Sequence, residues 1–399
     1  MDRSPAPRKI LVWMCVLIAV NQLGFGSIVP ALALYARSFG VTQSAIGFAV
    51  AVYGLARFLA AIPIGQLADR AGRRSALALG GIVTVAGNLL CAYAPTYLAL
   101  VGGRFVAGAG AALVITTGTI VLADITTPAT RGRTLSIYQG VFLFAVGVGP
   151  VPGGFLAEHY GLRAPFVAYA AMGAVVTLLA WLQVPETKTH RASSIDGPAV
   201  MPRARAQLAT LARGRGFLFV SLISFVNAFA RTGGIFTVIP ILARDRLGLS
   251  ADRIGIGLGL ASLAGLALIY PAGAFADRYG RKSIIVPATV LAAAALTLFL
   301  WAPSYAWFLV ACVVWSVATG ASGAAPAAYA ADIAPAGMNA MAMSAYRMLS
   351  DFGYVVGPVV LGIVADVFGA TSALTVAAVM LASVGLLFAR FAPTPRPAF

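Results

Sequence analysis

GQLADRAGRRSAL fills residues 65–77 and GAFADRYGRKSII fills residues 273–285. Each wraps Asp-Arg and a second basic pair around a glycine, in a chain with only 10% charged residues. The strings begin at 65 and 273, so their separation, 273 minus 65, is 208 residues. The same offset carries Pro63 to Pro271, Asp69 to Asp277, Pro95 to Pro303, Asp124 to Asp332, Tyr138 to Tyr346 and Gly149-Pro150 to Gly357-Pro358. Nearer the N-terminus the offset becomes 210, which carries Gly24 and Pro30 to Gly234 and Pro240. The chain is a tandem repeat, with both copies running in the same orientation.

Hydrophobic residues make up 60% of the sequence and the mean hydropathy is +0.91, against about 45–50% apolar residues in a soluble domain. Continuous apolar runs, each near the ~20 residues a helix needs to cross a bilayer, fall at 10–36, 43–66, 76–94, 97–121, 134–158 and 163–184, then at 217–243, 252–274, 284–301, 304–328, 340–366 and 371–392. Strands of a membrane barrel would alternate in short segments, and these runs do not. The fold class is therefore an all-α polytopic membrane protein of twelve spans in two six-helix halves, 1–184 and 217–399.

Most of the 28 Lys and Arg residues fall in the even-numbered connections and the two tails. By the positive-inside rule both termini are expected in the cytoplasm, with a bacterial inner membrane as the setting. The net charge of +16 then suits anionic lipid and calls for no nucleic-acid partner. Between the halves, PETKTHRASSIDGPAVMPRARAQLATLARGRG (185–216) is polar, basic and broken by Pro and Gly, and reads as a cytoplasmic linker. Ala31-Leu32-Ala33 mimics a signal-cleavage site, but the apolar run before it is too long for a signal peptide. Cys15, Cys91 and Cys312 lie inside spans without metal-like spacing and read as packing residues. With no nucleotide loop, no zinc spacing and only His159 and His190, an enzyme is not expected.

The charged strings sit in short turns between spans, where Gly72 and Gly280 permit reversal and the arginines stay at the aqueous edge. Arg70, Arg73 and Arg74 are placed to meet acids at other helix ends, Asp124 first among them. Such a cluster can lock one side of the molecule shut, whereas a topology signal alone would not need the Gly-x-x-x-Asp-Arg-x-Gly-Arg spacing twice.

At these motifs the whole chain resembles the major facilitator superfamily, and within it the twelve-helix drug:proton antiporters. Gly65, Asp69, Arg70, Gly72, Arg73 and Arg74 match the loop motif of that family, and Gly273, Asp277, Arg278, Gly280, Arg281 and Lys282 match its repeat. LVGGRFVAGAGAAL (100–113) resembles the helix-4 motif through Arg104, which the resemblance implicates in proton handling. AVGVGPVPGG (145–154) resembles the helix-5 antiporter motif through Gly149, Pro150, Gly153 and Gly154, and Pro185-Glu186-Thr187 the close of helix 6. The resemblance implies export of small amphipathic molecules by proton antiport and alternating access, with the substrate path near the midplane between the halves. The proton gradient is then the energy source, no cofactor or metal is expected, and the partners are a small-molecule substrate, protons and membrane lipid, for a monomer. A uniporter or importer of an anionic metabolite, and a receptor on the same fold, are the competing readings.

Ala145, Gly149, Gly153 and Ala157 recur every four residues, a small face suited either to plain packing or to an approach by the other half, and Pro150 permits a bend. Four arginines lie within spans, Arg57, Arg104, Arg231 and Arg347, each costing at least about 2.5–3.5 kcal/mol unless solvated or paired. Arg57 suits bracing between helices. Asp351, the one carboxylate placed well inside a span, follows Arg347 by four residues in YRMLSDFGYVVGP (346–358), a spacing that fits a structural ion pair or a proton-coupling site. Arg231 aligns with Asn21 at the 210 offset. With Tyr53, Tyr138, Gln139, Phe142, Asn227, Phe236 and Tyr346, these two are the expected contacts of an amphipathic solute, although packing alone would explain any one of them.

Overall fold

A chain this apolar must satisfy its backbone within each crossing segment, and helices do that. The computed structural model describes residues 7–187, 201–335 and 338–393. The first six spans are built from α1 (Pro7–Arg37), α2 (Gln43–Ala71), α3 (Arg73–Ala92), α4 (Tyr97–Asp124), α5 (Pro128–Val148), α6 (Pro150–Tyr160) and α7 (Ala164–Gln183). After α8 (Met201–Arg213), the seventh span is α9 (Arg215–Phe229), a π-helical stretch (Ala230–Val238) and α10 (Ile239–Leu247). The last five spans are α11 (Ala251–Tyr279), α12 (Lys282–Leu300), α13 (Tyr305–Ser322) with α14 (Ala325–Asp332), α15 (Asn339–Phe368) and α16 (Ala370–Phe391). Twelve of these stretches are long and apolar enough to cross a membrane, and no strand occurs among the described residues. Large apolar side chains such as Phe58, Leu90, Leu98 and Leu182 are exposed, as lipid contact requires.

Within the presumed linker, residues 188–200 lie outside the described residues, and α8 fills 201–213. The described part of the linker thus contains one helix. MPRARAQLATLAR has one apolar side at helical spacing, and Leu211 is buried in the core with Phe217 and Val220.

Packing divides the chain into two units that exchange short segments. One combines the first six spans with 250–259, and the other combines the last six with 42–51. The exchanged segments are the first turns of α11 and α2, and each is capped by a carboxylate. Ala251 N donates to Glu158 Oε2 at 3.0 Å in the first unit. In the second, Gln43 N and Ser44 N donate to the two Asp366 oxygens at 2.6 and 2.9 Å. Glu158 and Asp366 are separated by the 208-residue offset, as are Gln43 and Ala251.

The backbone stays helical through Gly149, with φ −49° and ψ −41°, and the α5–α6 boundary marks only the N–H that Pro150 lacks. At Gly149 and Gly153 the small face of this span meets α1, and Ala157 lies in a buried cluster with Ala31 and Ala251. A Cβ on Gly149 would sit 2.6 Å from the Gly26 Cα, and one on Gly153 would strike Ser27. Residues one position further on, rotated by about 100° around the helix, make the longer-range contact. Gly154 abuts Ala251 and Asp252, and Gly255 abuts the Pro150 carbonyl. The second unit repeats this pairing, with Gly362 against Gln43 and Ser44 and Gly47 against the Pro358 carbonyl.

Candidate functional site

Three polar clusters interrupt the apolar packing. The first is the short turn between α2 and α3. Gly72 has φ 89°, a left-handed conformation that a side chain disfavours, and the chain reverses there so that Arg73 opens α3. Arg73 lies between two carboxylates, Asp69 at 2.6 Å and Asp124 at 3.1 Å. Glu186 accepts from Arg73 N at 2.9 Å and Arg74 N at 3.3 Å, and Thr187 Oγ1 donates to Asp124 at 3.3 Å. The Pro-Glu-Thr close of span 6 thus caps α3. Arg74 donates to the Trp181 carbonyl, and its guanidinium lies 4.6 Å from the Trp181 ring centroid. Arg70 is exposed and Gly65 lies on α2.

The repeat copies this turn with less burial. Gly280 has φ 89°, and Arg281 pairs with Asp277 and with Asp332 at 3.5 Å. Arg278 lies 5.4 Å from the Tyr279 ring, and Lys282 donates to the Ala392 carbonyl at 2.8 Å. The Asp124 side chain is 1% exposed and that of Asp332 45% exposed, because the first copy lies beneath Glu186 and Thr187.

The second cluster lies inside the first unit. Arg104, 1% exposed, stacks 4.4 Å from the Tyr53 ring centroid, and Tyr53 stacks on Phe25. The Tyr53 and Tyr169 hydroxyls are 3.4 Å apart, and Tyr169 donates to Asn21 Oδ1 at 2.9 Å. Since the Tyr169 proton goes to Asn21, the Tyr53 hydroxyl is the donor of the pair. Half-buried Arg57 lies one turn along from Tyr53, within electrostatic range of the Tyr169 hydroxyl. Asn21 and Tyr53 are thereby corrected from solute contacts to buried members of a hydrogen-bonded chain. Tyr138 is likewise buried, in the core with Met14, Leu17 and Val114, its hydroxyl against Gly118. Asp124 stands 20 residues from Arg104 on the same helix, roughly 30 Å away, so the two form no pair. Tyr169 was not singled out in the sequence: one tyrosine in an apolar helix carries no pattern, and its 208-residue counterpart is Ala377.

The third cluster belongs to the seventh span and α15. Gly353 and Gly357 abut the Phe225 and Phe229 backbone, and Thr232 Oγ1 bonds both the Ala228 carbonyl at 2.9 Å and the Tyr354 carbonyl at 3.1 Å. These contacts anchor the π-helical stretch on α15. Its wider turn breaks the α-helical register, a feature that recurs at functional sites. Ala230, Thr232, Gly233, Gly234 and Ile235 are buried while Arg231 between them is exposed, within electrostatic range of Tyr346 and Tyr354. Phe236 and Asn227 are half-buried, and Asn227 turns its amide back to the Ile223 carbonyl at 2.9 Å. Gln139 is exposed and Phe142 half-buried on α5.

Arg347 and Asp351 make no ion pair, which corrects the expected couple. Side chains on a helix lean toward its N-terminus, so an arginine four residues before an aspartate leans away from it. Arg347 is exposed and Asp351 half-buried.

Two repeats of six membrane helices, with paired charges at the same turn of each, define a membrane transporter. The profile of the Major Facilitator Superfamily matches residues 14–251 and 220–398, and the chain belongs to that superfamily. It is 22% identical over 378 residues to an uncharacterized MFS-type transporter of Methanocaldococcus jannaschii, covering 94% of this chain and 96% of that protein. It is 28% identical over 275 residues to the class C tetracycline resistance protein of Escherichia coli, covering 67% of this chain and 68% of that protein. The structure of a bacterial homolog to the human lysosomal transporter Spinster has the same fold, with a TM-score of 0.79 at 17% identity over 98% of this chain and 97% of that one.

Proposed function

We propose that this transporter exports small amphipathic organic molecules by proton antiport, through alternating access, as a monomer in a bacterial inner membrane with both termini in the cytoplasm. The observation that carries the reading is the fifth span. It holds the glycine-proline sequence of the antiporter resemblance, and its Pro150 and Gly154 meet the exchanged first turns of α11 at backbone distance. Contacts between small residues part without leaving a large apolar surface unpaired, which suits a joint that opens in every cycle. Similarity to a tetracycline resistance protein supports outward movement of an organic solute. The paired turns at Arg73 and Arg281 supply charge contacts that hold in one state and release in another.

Coupling falls to Asp351, half-buried within a span and without an ion-pair partner among the described residues. Protonation removes a charge that is costly in that setting, so a proton and the solute favour different conformations. Arg104 and its tyrosine pair are the second element of proton handling. The proton gradient supplies the energy, with no cofactor.

The test is uptake into inside-out vesicles with an acidic lumen, against a chemically mixed panel of labelled aromatic solutes. Accumulation that collapses when nigericin removes the pH gradient is expected. Exchange of solute that ignores the gradient assigns the chain to uniport, and no flux of any solute overturns the transport reading of the pathway.

A further inference from the structure

The guanidinium of Arg231 has no hydrogen bond and no ion pair with any described residue. It lies 16 residues from each end of the span Arg215–Leu247, so roughly 24 Å of helix separates it from either end. An arginine side chain is far too short to reach the interface from there, as it does by snorkelling near a helix end. Of the other arginines placed within spans, Arg104 lies on a ring face, and Arg57 and Arg347 stand only three and six residues from a span end. Arg231 keeps accessible surface while its neighbours in sequence are buried, and its guanidinium is packed around by protein without an acid to pair with among the described residues.

Tyr346 and Tyr354 on α15 lie within electrostatic range of Arg231, and Ser224 stands beside the Tyr346 hydroxyl. A planar cation with five fixed donors, flanked by neutral hydroxyl donors, is chemically complementary to a carboxylate or sulfonate and unfavourable to a cationic solute. Thr232 Oγ1 ties the π-helical stretch to α15 through the Tyr354 carbonyl at 3.1 Å.

We propose that Arg231, with Tyr346 and Tyr354, binds the negatively charged group of the transported solute, so that the substrates are amphipathic organic anions. This rests on the export reading and narrows it. Charge balance follows directly: one monoanion leaving against one proton entering moves two positive charges inward per cycle. Membrane potential drives such an exchange as well as the pH gradient does.

The test uses the full chain in liposomes and two probes of one shape, 8-anilinonaphthalene-1-sulfonate and its neutral parent N-phenyl-1-naphthylamine. Equilibrium binding is measured without any pH gradient, with uptake into protein-free liposomes subtracted. The sulfonate is expected to bind at least tenfold more tightly. Arg231→Gln should remove that preference while leaving the neutral probe bound as before, which also reports an intact fold. Arg231→Lys should restore part of it, and Tyr354→Phe should weaken the sulfonate alone. Equal binding of the two probes, binding of neither, or a preference that survives Arg231→Gln overturns the anion site. Because no gradient enters this measurement, its failure leaves proton-driven export of neutral or cationic solutes standing, and failure of the vesicle assay leaves the anion site standing.

Discussion

Arg73 and Arg281 are the same residue of two repeats, and burial separates their energetics. Arg73→Ala strands Asp124, whose side chain is 1% exposed, and is expected to cost about 3–5 kcal/mol in detergent unfolding. Arg281→Ala leaves Asp332 45% exposed to water and should cost no more than about 1 kcal/mol. Equal losses would mean that Glu186 and Thr187 add nothing to the first cluster. Asp69→Asn touches a side chain that is 58% exposed, so stability and solute binding should hold while exchange between access states slows, as read by labelling of single cysteines from each face. The acids and bases of this turn were legible in the sequence because they recur at a fixed offset. Arg347 and Asp351 were misread as a pair because spacing fixes a helix face and not the lean of the side chains on it. Asn21 and Tyr53 were misread because a polar side chain in an apolar span looks alike whether it faces a solute or another buried hydroxyl.

Helix starts and helix faces obey the same distinction. Glu158 and Asp366 cap the first turns of α11 and α2, and each alanine substitution should cost about 0.5–2 kcal/mol. Hydrogen exchange should quicken at Ala251 in Glu158→Ala and at Gln43 and Ser44 in Asp366→Ala, with the rest of each helix unchanged. No acceleration at those amides would show that the caps are idle. On α5 and α6 the prediction is a contrast: Gly153→Leu collides with Ser27 and should prevent a monodisperse fold, whereas a Cβ on Gly140 meets nothing within 4 Å and Gly140→Leu should be tolerated. Four-residue spacing made the small face visible in the sequence. It did not show which neighbour that face meets, since α1 and α11 lie about 100° apart around the helix, one residue's rotation. The π-helical stretch was not read in the sequence, where its residues continue the apolar run of the span, and the structure shows it tied to α15 through Thr232.

For the whole molecule, the apolar runs made the twelve spans readable in the sequence. The exchange of 42–51 and 250–259 between packing units was hidden, since it depends on where the first turns of two helices point and not on their composition. Asp351→Asn should abolish uphill export and leave downhill exchange measurable, while Arg347→Ala, with no ion pair to lose, should leave proton coupling intact. Full proton-driven export by Asp351→Asn would move the coupling to the Arg104 cluster. Antiport itself is tested by the reverse experiment, in which a solute gradient is imposed on liposomes at equal pH and a trapped dye follows protons. Solute leaving the lumen should draw protons in, acidifying the interior in proportion to solute flux, and solute flux with no proton movement, or with protons moving alongside the solute, would contradict the account.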